Sequence, residues 1–165
     1  MIKTIFLDMD GVLCEFEKAA LELNILDFKT RKVDWMTLNA VGAKFWEQLE
    51  WKNEGKKLYE FLERFCKVHE IDLCILSAVI TNDGKEGKKT WLKANTHINP
   101  MNIYIVRKGA DKNAFANEES LLIDDFGKNV RGFIQAGGHA IKFENDAEEV
   151  INKIKELVSG DDDNG

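Results

Sequence analysis

The chain has 165 residues, 44% of them hydrophobic and 32% charged, with 23 Lys and Arg against 29 Asp and Glu for a net charge of −6. A single domain of roughly this length hides about two-thirds of its unfolded surface, which excludes collagen-like and disordered classes and scaffolds that need disulfide or metal staples. The acidic balance argues against stable binding to duplex nucleic acid; no apolar run reaches the ~20 residues of a membrane span, and the N-terminus enters a strand-like run with no secretory leader, so no membrane association and a cytoplasmic location are expected.

In chain order, residues 2–7 (IKTIFL) read as a strand from their length and branched or aromatic content. About forty residues follow, 14–53, too long for a simple strand-to-helix connection and too apolar for a linker. They predict an inserted helical cap, with helices over 15–23 and 37–49. A stripe of Leu58, Phe61, Leu62 and Phe65 predicts a helix over 54–68. Strand 71–76 comes next, then a helix over 84–94 carrying Trp91 and Leu92, and strands 102–106 and 120–123. A helix over 128–136 ends at Gly137-Gly138, since glycine accepts the left-handed conformation of a helix C-terminus. Strand 139–143 and a helix over 147–158, with Val150, Ile151, Ile154, Leu157 and Val158 on its stripe, complete the pattern. Residues 159–165 read as a disordered acidic tail. Cys14, Cys66 and Cys74 form no C-x-x-C pair and are odd in number, so they read as reduced, mostly buried thiols.

Run-like and helical periodicities that alternate in this way predict an α/β, Rossmann-like fold: about five parallel strands flanked by helices, built from 1–13 and 54–158, with the cap of 14–53 inserted after the first strand. In such a sheet the ligand crevice lies at the carboxyl ends of the strands, where strand order reverses. The first strand ends in Asp8-Met9-Asp10-Gly11, the second in Ser77-Ala78, and the fourth in Asp124-Asp125. Each of these alone is commonly a helix N-cap, but four polar stops on three strands are more than capping accounts for. Clustered carboxylates repel one another unless a cation binds among them, and hard oxygen ligands suit Mg²⁺.

The segments Ile5-Phe6-Leu7-Asp8-Met9-Asp10-Gly11-Val12-Leu13, Leu76-Ser77-Ala78 and Leu121-Leu122-Ile123-Asp124-Asp125 resemble the first, second and fourth motifs of the haloacid dehalogenase superfamily. The acid two residues after the first resembles its phosphatase branch. Within that branch the helical cap with its Phe45-Trp46 pair and the L-L-I-D-D ending are most similar to the 5′(3′)-deoxyribonucleotidases and their small bacterial and phage relatives. The resemblance implies a Mg²⁺-dependent phosphomonoester hydrolase with an aspartyl-phosphate intermediate: Asp8 the nucleophile, Asp10 the acid and base, and Ser77 and the Ala78 amide donors to phosphoryl oxygens. It also implies a lysine shortly before the fourth motif, for which Lys112 is preferred over Lys108. Metal ligands are implied from the Asp8 side chain, the Asp10 carbonyl and one of Asp124 and Asp125, with Asp125 as the direct one.

Gly11 allows a tight curl that exposes amides to phosphate. Most of Trp35, Phe45, Trp46 and Trp51 are expected to form the cap's own core, with one or two facing the cleft; Trp46 is taken as the ring against substrate. Aromatic rings stack on bases, which favours a nucleoside monophosphate over a sugar phosphate. Alternatives are another small phosphomonoester, a 3′-phosphate at a nucleic-acid end, and a receiver-like signalling domain, for which Asp10 and the cap have no use. Lys88 and Lys89 read as a solvated face, as do Lys29, Arg31 and Lys32, and Asn129 as a local backbone partner. His69, His97 and His139 have no carboxylate partner in sequence and are given no catalytic role.

Overall fold

The structure is a computed structural model that describes residues 1–160, so positions 161–165 of the expected tail lie outside the described residues. Five strands, β1 (Thr4–Leu7), β2 (Asp72–Ala78), β3 (Ile103–Val106), β4 (Ser120–Asp124) and β5 (His139–Lys142), form one sheet in the order β3-β2-β1-β4-β5. Every pairing is parallel, in agreement with the expected α/β class. The helices are α1 (Phe16–Glu22), α2 (Trp35–Val41), α3 (Lys44–Glu47), α4 (Asn53–Val68), α5 (Asn82–Asn95), α6 (Gly127–Gln135) and α7 (Ala147–Gly160). A short 3-10 helix, Gly109–Phe115, connects β3 to β4.

Strand alternation divides the core between the two faces of the sheet. Ile5, Leu7, Ile75, Leu121 and Ile123 face one side, in a large cluster with Leu58 and Leu62 of α4, Trp91 of α5 and Ile154 of α7. Phe6, Cys74, Leu76 and Leu122 face the other, where Phe133 of α6 closes a smaller cluster. Central strands covered on both sides must read as continuous apolar runs, and they do. All three cysteines are buried free thiols, and burial pushes the pKa of Cys66 up to about 12 and of Cys74 to about 11.

The segment between β1 and α4 is helical, as expected, but the helix expected over 37–49 is two. Gly42 lies at φ +76°, a left-handed turn that ends α2 before α3 begins. The break lets α3 settle on α5 so closely that a Cβ on Gly87 would lie 2.4 Å from the Ala43 carbonyl oxygen. Trp91 Nε1 donates to the Leu49 carbonyl at 2.7 Å and ties the same two regions together. Leu38, Phe45 and Trp46 belong to the same apolar cluster as the sheet. At the other end of the chain α7 runs to Gly160, past its expected end at 158.

Candidate active site

β1 lies at the point where strand order reverses. The chain moves from β1 outward to β2 and β3, then crosses back to place β4 on the other side of β1. Leu7 is paired with both Ile75 and Ile123, so the residues that leave these three strands emerge side by side. The Asp8 amide donates to the Ile123 carbonyl at 3.0 Å, which carries the register one residue past the strand and sets Asp8 beside Asp124.

Asp8, Asp124 and Asp125 each bring a carboxylate oxygen within 4.8 Å of the other two. Lys112, on the 3-10 helix and 1% exposed, points into this group: its Nζ lies 2.7 Å from Asp124 Oδ2 and 3.1 Å from Asp8 Oδ1. Burial works against the ammonium charge, but Asp8 and Asp124 outweigh it and raise its pKa above the usual lysine range. Asp124 is fully engaged, with Lys112 and Asn129 Nδ2 (3.1 Å) on Oδ2 and the Phe126 amide (2.9 Å) on Oδ1. Asn129 thus bonds a carboxylate side chain in the site, not the local backbone partner expected for it.

Asp125 receives no side-chain donor among the described residues. Burial, then Asp8, then Asp124 push its carboxyl up to about 8. Burial and Asp8 raise Asp124 as well. Three carboxylates facing one ammonium leave a local deficit of positive charge, and the all-oxygen donor set suits a hard divalent cation.

Asp10 faces the other side of the site. Its Oδ2 accepts from Lys88 Nζ at 2.8 Å, while Oδ1 is buried without a hydrogen-bond partner among the described residues. Lys88 also donates to Ser77 Oγ (2.8 Å) and to the Ala78 carbonyl (3.0 Å), and is 1% exposed. This corrects the solvated reading of Lys88, although Lys89 next to it is exposed. It also gives Asp10 a cationic partner. Gly11, at φ +79°, makes the expected left-handed turn for a further reason: a Cβ there would lie 2.1 Å from Asp125 Oδ2.

A cavity of about 550 Å³ opens over these groups, lined by Asp8, Asp10, Ser77, Lys88, Lys112 and Asp125 on its floor. Phe16, Trp35, Trp46 and Phe126 supply its aromatic wall. Trp46 does reach the cavity but is 1% exposed and anchored in the core, whereas Trp35 and Phe126 are 52% and 57% exposed. Arg107 and Lys108 line the mouth; Lys108 therefore stands near the site but outside the carboxylate group that Lys112 enters. His97 lies elsewhere, its Nδ1 2.5 Å from Glu63 Oε1, a pairing invisible in sequence because 34 residues separate the two.

No family profile and no curated protein matches the sequence. Solved structures do match. The L-2-haloacid dehalogenase of Xanthobacter autotrophicus is 17% identical with a TM-score of 0.56, over 97% of this chain and 84% of that one. A haloacid dehalogenase-superfamily hydrolase of Geobacter sulfurreducens is 14% identical at a TM-score of 0.57, over 86% and 89%. A family enzyme of Bacteroides thetaiotaomicron, solved with magnesium and inorganic phosphate, is 12% identical at 0.53, over 88% and 95%. With five parallel strands, the acidic group at their reversal point and these likenesses together, the chain has the fold of haloacid dehalogenase-superfamily hydrolases.

Proposed function

We propose that this protein is a Mg²⁺-dependent phosphomonoesterase of the haloacid dehalogenase superfamily that works through an aspartyl-phosphate, with nucleoside monophosphates as its substrates. The observation that carries the reading is the opposition of two acid groups across one cavity, each held by a buried lysine: Asp8, Asp124 and Asp125 with Lys112 on one side, and Asp10 with Lys88 and Ser77 on the other. Asp8, Asp125 and the Asp10 carbonyl would hold the cation, with Asp124 behind them. Bound there, Mg²⁺ supplies charge neutralisation of the phosphoryl oxygens.

Asp8 Oδ1 accepts the Met9 amide at 2.8 Å and faces Lys112, leaving Oδ2 without a donor among the described residues and available to attack phosphorus. As the Oδ2–P bond forms, the bond from phosphorus to the ester oxygen breaks, and that oxygen takes the proton of the Asp10 carboxyl. Water then attacks the phosphorus of the aspartyl-phosphate and gives its proton to Asp10, which releases phosphate and restores Asp8. Lys88 holds Asp10 Oδ2, so the unpartnered Oδ1 is the oxygen left to exchange the proton. The Ser77 O–H and the Ala78 amide donate to phosphoryl oxygens, and Lys112 offsets the charge on the transferring group. Segment 14–53 acts as the cap, and Trp35 and Phe126 give a base two exposed rings to stack on.

The test is a panel of nucleoside 5′- and 3′-monophosphates, sugar phosphates and 2-haloacids, each assayed with Mg²⁺ and with a chelator. Turnover of nucleotides only with Mg²⁺ is expected. Preferential turnover of sugar phosphates would overturn the substrate assignment, and halide release would overturn the reaction itself.

A second expectation concerns the protein without metal. The Asp125 carboxyl near 8 when folded, against about 3.9 when unfolded, means that the folded state binds this proton more tightly. The associated stability is present below about pH 4 and is lost as pH rises through about 8. Between pH 5.5 and 8.5 the melting temperature of the chelated protein should therefore fall. Mg²⁺ competes with that proton, so it should raise the melting temperature by several degrees at pH 8.5 and by much less at pH 5.5. Thermal melts at both pH values check this, and an equal Mg²⁺ effect at both would refute it.

A further inference from the structure

Beside the catalytic cavity lies a second concavity of about 490 Å³, bounded by Lys108, Asn113, Phe126, Lys128, Asn129 and Arg131. The two share Lys108, Gly109, Phe126 and Asn129 as a common wall. The groove is therefore an extension of the mouth above the carboxylate group. Four cations mark this stretch: Arg107 and Lys108 at the mouth, then Lys128 and Arg131 on α6. All four are exposed and none makes an ion pair among the described residues.

In a chain of net charge −6, four exposed cations along the mouth and the adjoining groove, without an ion pair among the described residues, concentrate positive charge where most of the surface would repel an anion. The two acids beside them, Asp111 and Asp125, leave these four cations in excess. Asp111 Oδ2 is held by the backbone amide of Lys108 at 3.0 Å, and Asp125 belongs to the catalytic group. The first turn of α6 contains no acidic residue. Phe126, 57% exposed, stands on the shared wall, where one face of a planar base can rest.

We propose that this groove is a second anion site that takes a phosphate other than the one transferred, so that the preferred substrate carries two phosphates, one over Asp8 and one against Lys128 and Arg131. The proposal deepens the phosphomonoesterase reading and rests on it. Such a second phosphate belongs either to a nucleoside 3′,5′-bisphosphate or to the first phosphodiester of a phosphorylated oligonucleotide end. Both present the same chemistry to the groove.

The experiment compares the full chain with its Lys128→Gln/Arg131→Gln variant, which alters neither the carboxylate group nor its lysines. With Mg²⁺ present, kcat/KM is measured for a nucleoside 3′-monophosphate, the matching 3′,5′-bisphosphate and a 3′-phosphorylated dinucleotide. Exposed cation–phosphate contacts are worth a few-fold each, so about a tenfold preference for a two-phosphate substrate is expected in the native protein. The variant should lose that preference while its monophosphate rate stays unchanged, and added salt should erode the preference in the native protein. The two-phosphate substrate with the larger preference identifies the source.

Binding of the same three probes to Asp8→Asn protein, with and without the two groove substitutions, is measured by calorimetry. This arm judges the groove without turnover. If no nucleotide is hydrolysed, the catalytic reading falls, yet weaker bisphosphate binding on loss of Lys128 and Arg131 would still uphold the groove. Equal binding of mono- and bisphosphate, or an equal loss for both in the variant, would overturn it.

Discussion

Replacing Asp8 by Asn is expected to lower turnover of a nucleoside monophosphate by about 10⁴-fold or more while leaving the fold intact. Loss of a nucleophile removes the covalent route altogether, and groups that act as a unit lose most of their effect when one is removed. The side chain sits at the exit of the central strand, its Oδ1 fixed by the Met9 amide and Lys112, so the near-isosteric amide keeps the packing. Stability should move the other way. Asp8 is one of the charges that raise the Asp124 and Asp125 carboxyls, and its neutralisation relieves that repulsion. A chelated Asp8→Asn protein at pH 8 should therefore melt no lower than the native one. Rapid acid quench of the native protein during turnover should trap phosphate on the chain, and the variant should trap none. Retained turnover within about tenfold of native would remove Asp8 from the nucleophile role.

The carboxylate group was legible in sequence because strand ends are. A run of buried residues that stops at an acid fixes both the strand and the place of its side chain at the crevice, and parallel register brings Asp8 beside Asp124 across 116 residues of chain. Lys112 was legible too, through the spacing to the fourth motif that the family resemblance implies. Lys88 was missed because α5 carries lysines at 85, 88, 89 and 93, and charge count alone makes them one solvated face. The signal lay in phase: Gly84, Lys88, Trp91 and Leu92 fall on a single helical stripe, and that is the stripe α5 buries. A lysine in phase with a buried tryptophan needs an anion, and Asp10 supplies it. Gly42 was read through as an ordinary helix position, although a left-handed break there is what lets α3 settle on α5. The Asn129 to Asp124 bond could not be read from spacing, because five residues separate them across a strand-to-helix turn whose geometry only the fold defines.

Substitution of Lys112 by Met should be the most destabilising single change in the site. The ammonium is 1% exposed and lies within 3.1 Å of two carboxylates, and a methionine fills much of its volume without its charge. Removing one partner of a buried ion pair leaves uncompensated charge and costs about 3–5 kcal/mol. In a chain of this size each kcal/mol moves the melting temperature by roughly 2–4 °C, so a loss on the order of 10 °C is expected at pH 8 in chelator. The pH dependence separates a charge effect from a packing effect. In the native protein the Lys112 pKa is raised, so its contribution is complete below the unfolded value of about 10.4 and does not fade between pH 5.5 and 8.5. Without the ammonium, Asp8, Asp124 and Asp125 can relieve their repulsion only by taking up protons or a cation. The deficit of the variant should therefore shrink at pH 5.5, and Mg²⁺ should recover part of it at pH 8 without restoring turnover. Thermal melts of native and Lys112→Met protein at the two pH values, with and without Mg²⁺, measure all of this. A deficit independent of both pH and Mg²⁺ would mean that Lys112 serves packing alone, and the charge balance argued for the acidic group would be wrong.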